Sequence, residues 1–142
     1  MLLVLAGCLA PAPLHFDTTE PGWQVRQGQA VWRPNAQATE LAGELVVARH
    51  PDGRAFVQFA KPPVTLASAA QDRKTWQFTE PLQRRSGRGL NPPPPAIVWF
   101  QLVRLLRGEP ASADWRGERF GDGHWRLENP RTGETLEGYL AP

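Results

Sequence analysis

The chain has 142 residues, 41% of them hydrophobic and 21% charged, and its 16 Lys and Arg against 14 Asp and Glu leave a formal net charge of +2. That length holds one domain with a substantial core, the composition excludes wholesale disorder, and so small a cationic excess excludes the charge footprint of a nucleic-acid binder. A single cysteine excludes an intramolecular disulfide and a multi-cysteine metal site. Beyond the first ten residues no apolar run approaches the ~20 residues of a membrane helix.

The first element is the short apolar run Leu2 to Ala6, closed by Gly7 and Cys8. Two readings stand. In one the run is a buried first element and Cys8 a small core hydrophobe. In the other it is the tail of a secretion signal, its basic n-region missing and its apolar region cut to the last few residues. Leu5-Ala6-Gly7-Cys8 resembles the bacterial lipobox. Small side chains at Ala6 and Gly7 let a peptidase reach the bond before Cys8, and the thiol then accepts a diacylglyceryl group. Two or three acyl chains, at ~0.8 kcal/mol per buried CH₂, hold a protein on a bilayer far more firmly than one. Leu9-Ala-Pro-Ala-Pro13 cannot continue a helix and suits an extended tether. The resemblance implies a truncated signal over 1–7, a lipidated Cys8 and tether over 8–21, and one domain over 22–142. Leu9 after the cysteine resembles lipoproteins bound for the outer membrane, where Asp would be the usual retention mark.

From Gly22 the period is mostly two, which predicts strands. Trp23, Val25 and Val31 alternate with polar residues, and Gly28 marks a bend or bulge. Leu41, Gly43, Leu45 and Val47 form one alternating set and Ala55, Val57 and Phe59 another, with Asp52-Gly53 between them as a hairpin signal. Lys61-Pro-Pro63 interrupts, Val64-Thr-Leu66 resumes, and Thr75-Trp-Gln-Phe78 follows the charged turn 71–74. Segments 114–120, 124–128 and 134–140 complete the strands, separated by Gly-rich or Asn-Pro turns. One stretch differs. Ala96 to Arg107 places Trp99, Leu102, Val103 and Leu106 on one face at i, i+3, i+4, i+7 and stops at Gly108, which predicts a helix with Pro95 at its first turn.

The expected fold is therefore mainly β, a curved antiparallel sheet or unclosed β-barrel of about seven or eight strands covered by one main helix over 96–107. A concave sheet lined by Leu45, Val47, Val57, Phe59, Leu66, Trp76 and Phe78 then faces Trp99, Leu102 and Leu106, either as an apolar cavity or as plain core. Arg84-Arg-Ser-Gly-Arg-Gly89 has no interleaved aromatics for stacking on bases and reads as a solvated loop or a contact for anionic lipid headgroups. His15, His50 and His124 lack metal-ligand spacing, and no phosphate loop or Ser-centred elbow is present. Glu118 and Glu128 form a carboxylate pair only if their strands place them opposite each other, and they read as wet-face charges. Nothing points to an enzyme, a cofactor or a metal.

In order along the chain, the lipobox, Leu41-x-Gly43-x-Leu45, Phe56-Val-Gln-Phe59, Val64-Thr-Leu66, Trp76-x-Phe78, the helix and Leu136-x-Gly138-x-Leu140 resemble the LolA/LolB-type family of periplasmic carriers and outer-membrane receptors for lipoproteins. The resemblance covers roughly residues 22–140. It implies a non-catalytic monomer, held in the outer membrane through acylated Cys8 and facing the periplasm, that binds acyl chains or a lipoprotein cargo beneath its helix and touches no nucleic acid. Two departures imply a reduced relative: one helix where family members have several, and a connection His50-Pro-Asp-Gly-Arg54 without the family's exposed leucine. The competing expectation is a structural lipoprotein whose β-domain contacts an envelope partner.

Overall fold

The computed structural model describes residues 14–142, so Leu5-Ala6-Gly7-Cys8 lies outside the described residues. Within them the chain forms nine strands and one α-helix: β1 Gln24–Arg33, β2 Leu41–Arg49, β3 Ala55–Lys61, β4 Val64–Gln71, β5 Thr75–Glu80, β6 Arg85–Leu90, α1 Val98–Leu106, β7 Arg116–Arg119, β8 His124–Asn129 and β9 Glu134–Leu140. All nine strands belong to one antiparallel sheet in the order β6-β5-β4-β3-β2-β1-β9-β8-β7. Pairing β9 with β1 joins two meanders, while β6 and β7 are edges without a further partner among the described residues. The sheet curves without closing, and α1 lies in its concavity against β3, β4, β7 and β8.

Local chemistry explains most boundaries. Asp52 Oδ1 accepts the Arg54 amide at 3.0 Å in the β2–β3 turn, and Asp72 Oδ1 accepts the Lys74 and Thr75 amides at 2.8 and 2.7 Å in the β4–β5 turn. Asn129 does the same for the Arg131 and Thr132 amides before β9. The helix ends where Gly108 N–H donates to Leu105 O and Glu109 N–H to Arg104 O.

Three expectations need correction. The helix begins at Val98, not 96, because Ile97 keeps extended backbone (φ −89°, ψ 109°) that seats its side chain in the core. Pro95 precedes the helix, and its carbonyl accepts Gln101 Nε2 at 3.1 Å and Trp115 Nε1 at 2.8 Å. The strand count is nine because Arg85–Leu90, expected as a loop, is the edge strand β6. Its inward positions Gly87 and Gly89 lie beneath the Trp76 ring, where a Cβ would come within 3.1–3.3 Å of that ring. Glycine on that face erases the apolar alternation that would have marked a strand.

The third correction concerns β1. Its register pairs Arg26 with Val47, Gly28 with Leu45 and Trp32 with Leu41, so the inward set is Gln24, Arg26, Gly28, Ala30 and Trp32. Val25 faces out and is 43% exposed. No bulge interrupts the pairing at Gly28. The glycine is needed because β1 and β9 approach closely there: a Cβ on Gly28 would strike the Tyr139 carbonyl oxygen, and one on Gly138 would strike that of Gln29.

Candidate functional site

The concave face of the sheet and the helix seated in it bring all ten expected lining residues into one cluster. Leu45 and Val47 come from β2, Val57 and Phe59 from β3, Leu66 from β4, Phe78 from β5, and Trp99, Leu102 and Leu106 from α1; all nine are buried. Trp76 is half-buried at the β5–β6 edge, where its Nε1 donates to Leu90 O at 3.0 Å. It stacks with Phe78 at 6.3 Å and meets Phe100 edge-on at 6.1 Å.

In this conformation the concavity is filled. Trp99 stacks on Phe59 at 5.6 Å and meets Trp32 edge-on at 5.0 Å, and all three are 0% exposed. Trp32, Trp125, Leu127, Leu136 and Leu140 complete the cluster from β1, β8 and β9. Seven of the nine residues of α1 are buried, including Gln101, whose amide bonds Ser112 Oγ and Pro95 O. Removing a side chain such as Trp99 from this packing costs about 3–5 kcal/mol.

Two carboxylates that sequence reasoning missed hold one end of the cluster. Glu80, at the end of β5, accepts Trp99 Nε1 at 2.9 Å; Glu134, at the start of β9, accepts Trp32 Nε1 at 2.9 Å. Both are buried. Burial raises the Glu80 carboxyl above its ordinary value, opposed by the Trp99 bond and by Arg85, whose guanidinium lies 3.3 Å from Oε1. Burial chiefly, with repulsion from Glu80, pushes Glu134 up to about 7 against the Trp32 bond and Arg85. Arg85 is the cation beside Glu80, and it opposes the upward shift of both carboxyls. The signal was present in the sequence: Glu80 stands two residues after Phe78 and Glu134 two before Leu136, each on the inward side of its strand.

At the opposite end the helix is tied by cations. Arg49 Nη1 donates to Leu106 O at 2.9 Å and Arg107 Nη2 to Gly53 O at 3.1 Å. The helix is thus bonded to the sheet at both ends, through Trp99–Glu80 and Arg49–Leu106.

Other candidates do not converge. Glu118 pairs with Arg126 and Glu128 with Arg116, so the two glutamates are not opposite each other. His50 contacts Asp52 and Pro21 O, and His124 contacts Asp122. Among the described residues no three His, Cys, Asp or Glu side chains gather as metal ligands, and no helix is long and apolar enough to cross a membrane.

Open pockets lie around the packed face. One of about 640 Å³ sits on the outer surface of β1, β2 and β9 beside Phe120 and Tyr139. Another, of about 540 Å³, lies outside β4–β6 and is lined by Leu14 and Phe78. Two more flank the end where α1 stops, one of them lined by Leu106.

No known protein-family model matches the chain, and comparison with curated proteins finds no match.

Proposed function

We propose that this chain is a bacterial envelope lipoprotein, a reduced relative of the LolA/LolB-type proteins, anchored in the outer membrane through acylated Cys8. Its β-domain accepts an acyl chain or the lipid of a lipoprotein when α1 swings away from the sheet. The observation that carries this reading is the architecture of the cover. One amphipathic helix, bonded by its two ends, fills the concavity of a sheet that does not close. Displacing it exposes Phe59, Leu66, Phe78 and their neighbours as a continuous apolar trough. An acyl chain entering the trough is favoured by about 25 cal/mol for each Å² of apolar surface removed from water.

The tight packing of Trp32, Phe59 and Trp99 favours a second reading, a lipoprotein whose β-domain is a solid scaffold presenting its β6 edge to an envelope partner. Displacement of a polarity-sensitive acyl probe separates the two. Saturable uptake at micromolar concentration, reversed by unlabelled lipid, supports the carrier; no uptake by the folded protein leaves the scaffold. Anchoring is tested apart from either. Cys8→Ala moves the protein from the membrane to the soluble fraction, and unchanged fractionation refutes the lipobox reading.

A further inference from the structure

The end of the sheet where α1 stops gathers four arginines. Arg26 on β1 and Arg49 on β2 are diagonal neighbours on the inner face, since Gln24 pairs with Arg49 and Arg26 stands two residues further on. Arg107 follows α1 directly, and Arg119 ends β7. Arg49 bonds Leu106 O and Gln24 Oε1, Arg26 bonds Leu140 O and Ala141 O at 3.0 Å each, and Arg107 bonds Gly53 O. Every one of these acceptors is neutral. Among the described residues none of the four has a carboxylate within ion-pair distance. The acids nearby are engaged elsewhere: Asp52 with Arg54 at 2.8 Å, Glu109 with Arg104 at 3.4 Å, Asp122 with His124 at 2.9 Å.

The terminus of α1 offsets only part of this charge, because a helix end carries about half an elementary negative charge. Burial, followed by the like charges of Arg107, Arg26 and Arg119, holds the Arg49 guanidinium below its ordinary value. The arginines edge two pockets, Arg26 and Arg119 one of about 510 Å³ lined also by Leu106, Phe120, Leu140 and Asp122, and Arg49 and Arg107 one of about 480 Å³ lined also by Glu109. Leu106 and Leu140 belong to the apolar core. The rim is therefore cationic with unused N–H donors, and its floor leads to the helix–sheet joint.

We propose that this arginine-edged mouth binds a phosphate-bearing anion, seating the phosphate on Arg26, Arg49, Arg107 and Arg119. The same chemistry serves a free phosphate and the headgroup of an anionic phospholipid. The second case rests on the carrier reading, with the acyl chain continuing past Leu106 under the helix.

Calorimetric titration of the full chain uses inorganic phosphate, monomeric dihexanoyl phosphatidylglycerol, and dihexanoyl phosphatidylcholine as the zwitterionic control. Tighter binding of phosphatidylglycerol than of phosphate identifies the lipid headgroup; equal binding identifies free phosphate. In either case Arg119→Gln weakens binding about tenfold and Arg88→Gln, on the distant β6 edge, leaves it unchanged. The Arg119 side chain is exposed and makes no side-chain hydrogen bond among the described residues, so its replacement leaves the β7–β8 pairing intact; Arg26→Gln is added with a melting curve to verify folding. Absence of binding by both phosphate and phosphatidylglycerol, or binding indifferent to Arg119→Gln and to folded Arg26→Gln, overturns the site. Uptake of phosphatidylcholine without phosphate binding overturns the site and leaves the carrier standing. Phosphate binding without acyl-probe uptake retains the site and removes the carrier.

Discussion

At one end of the sheet two carboxylates lie buried under indole rings; at the other, arginines surround the helix terminus with, among the described residues, only neutral acceptors. The acidic end is internally balanced. Arg85 lies beside Glu80, burial raises the Glu134 carboxyl, and each acid accepts a tryptophan N–H. The basic end is unbalanced and open to solvent. The two ends of α1 therefore differ: the first is a lock in which each buried carboxyl accepts an indole N–H while Glu80 Oε1 lacks a hydrogen-bond partner among the described residues, the second an opening edged by arginines.

Breaking the lock has the largest expected effect. Trp99→Ala removes the stacked ring and leaves Glu80 without its donor, and denaturant unfolding registers a loss of about 3–5 kcal/mol. Next in size is the proton held at the acidic end. Because Glu134 binds its proton more tightly folded than unfolded, its contribution is complete below about pH 4.5 and disappears as pH rises through about 7. A shift of that size corresponds to roughly 3 kcal/mol. Melting curves across this window show stability falling with pH in the native protein, and Glu134→Gln, which keeps the acceptor for Trp32, flattens that slope. A slope unchanged in the variant places the proton elsewhere.

At the basic end the effects are smaller. Arg49→Gln loses a charged donor to the Leu106 carbonyl and costs about 1–2 kcal/mol in thermal unfolding. Smallest is the outer surface. Leu90→Ser, at a side chain 77% exposed on the β6 edge, changes stability by less than about 0.5 kcal/mol. A large loss there shows that β6 is covered in solution and shifts weight to the scaffold reading.

The parts of this molecule legible from sequence are those governed by neighbours along the chain. The face of α1, the alternation in β2 and β3, and the turns at Asp52-Gly53 and Asn129–Gly133 all follow from local chemistry. The parts that escaped depend on distant partners. The inward face of β1 is set by β9, more than a hundred residues away, and the close approach there demands Gly28 and Ala30 where apolar bulk would have shown the pattern. The glycines of β6 are explained only by the Trp76 ring above them. Glu80 and Glu134 occupy inward strand positions, yet nothing local shows that Trp99 and Trp32 reach them. The arginines form a group only after the sheet has brought β1, β2, β7 and the end of α1 together.

The central claim, that α1 is a movable cover and not a fixed part of the core, is tested most directly by native-state hydrogen exchange of the helix amides. The account predicts that Val98–Leu106 open as a unit with a free energy below that of global unfolding, while β1, β2 and β9 stay protected, and that a bound acyl ligand alters exchange in α1 first. Helix amides that exchange only when the whole domain unfolds, with or without ligand, contradict it.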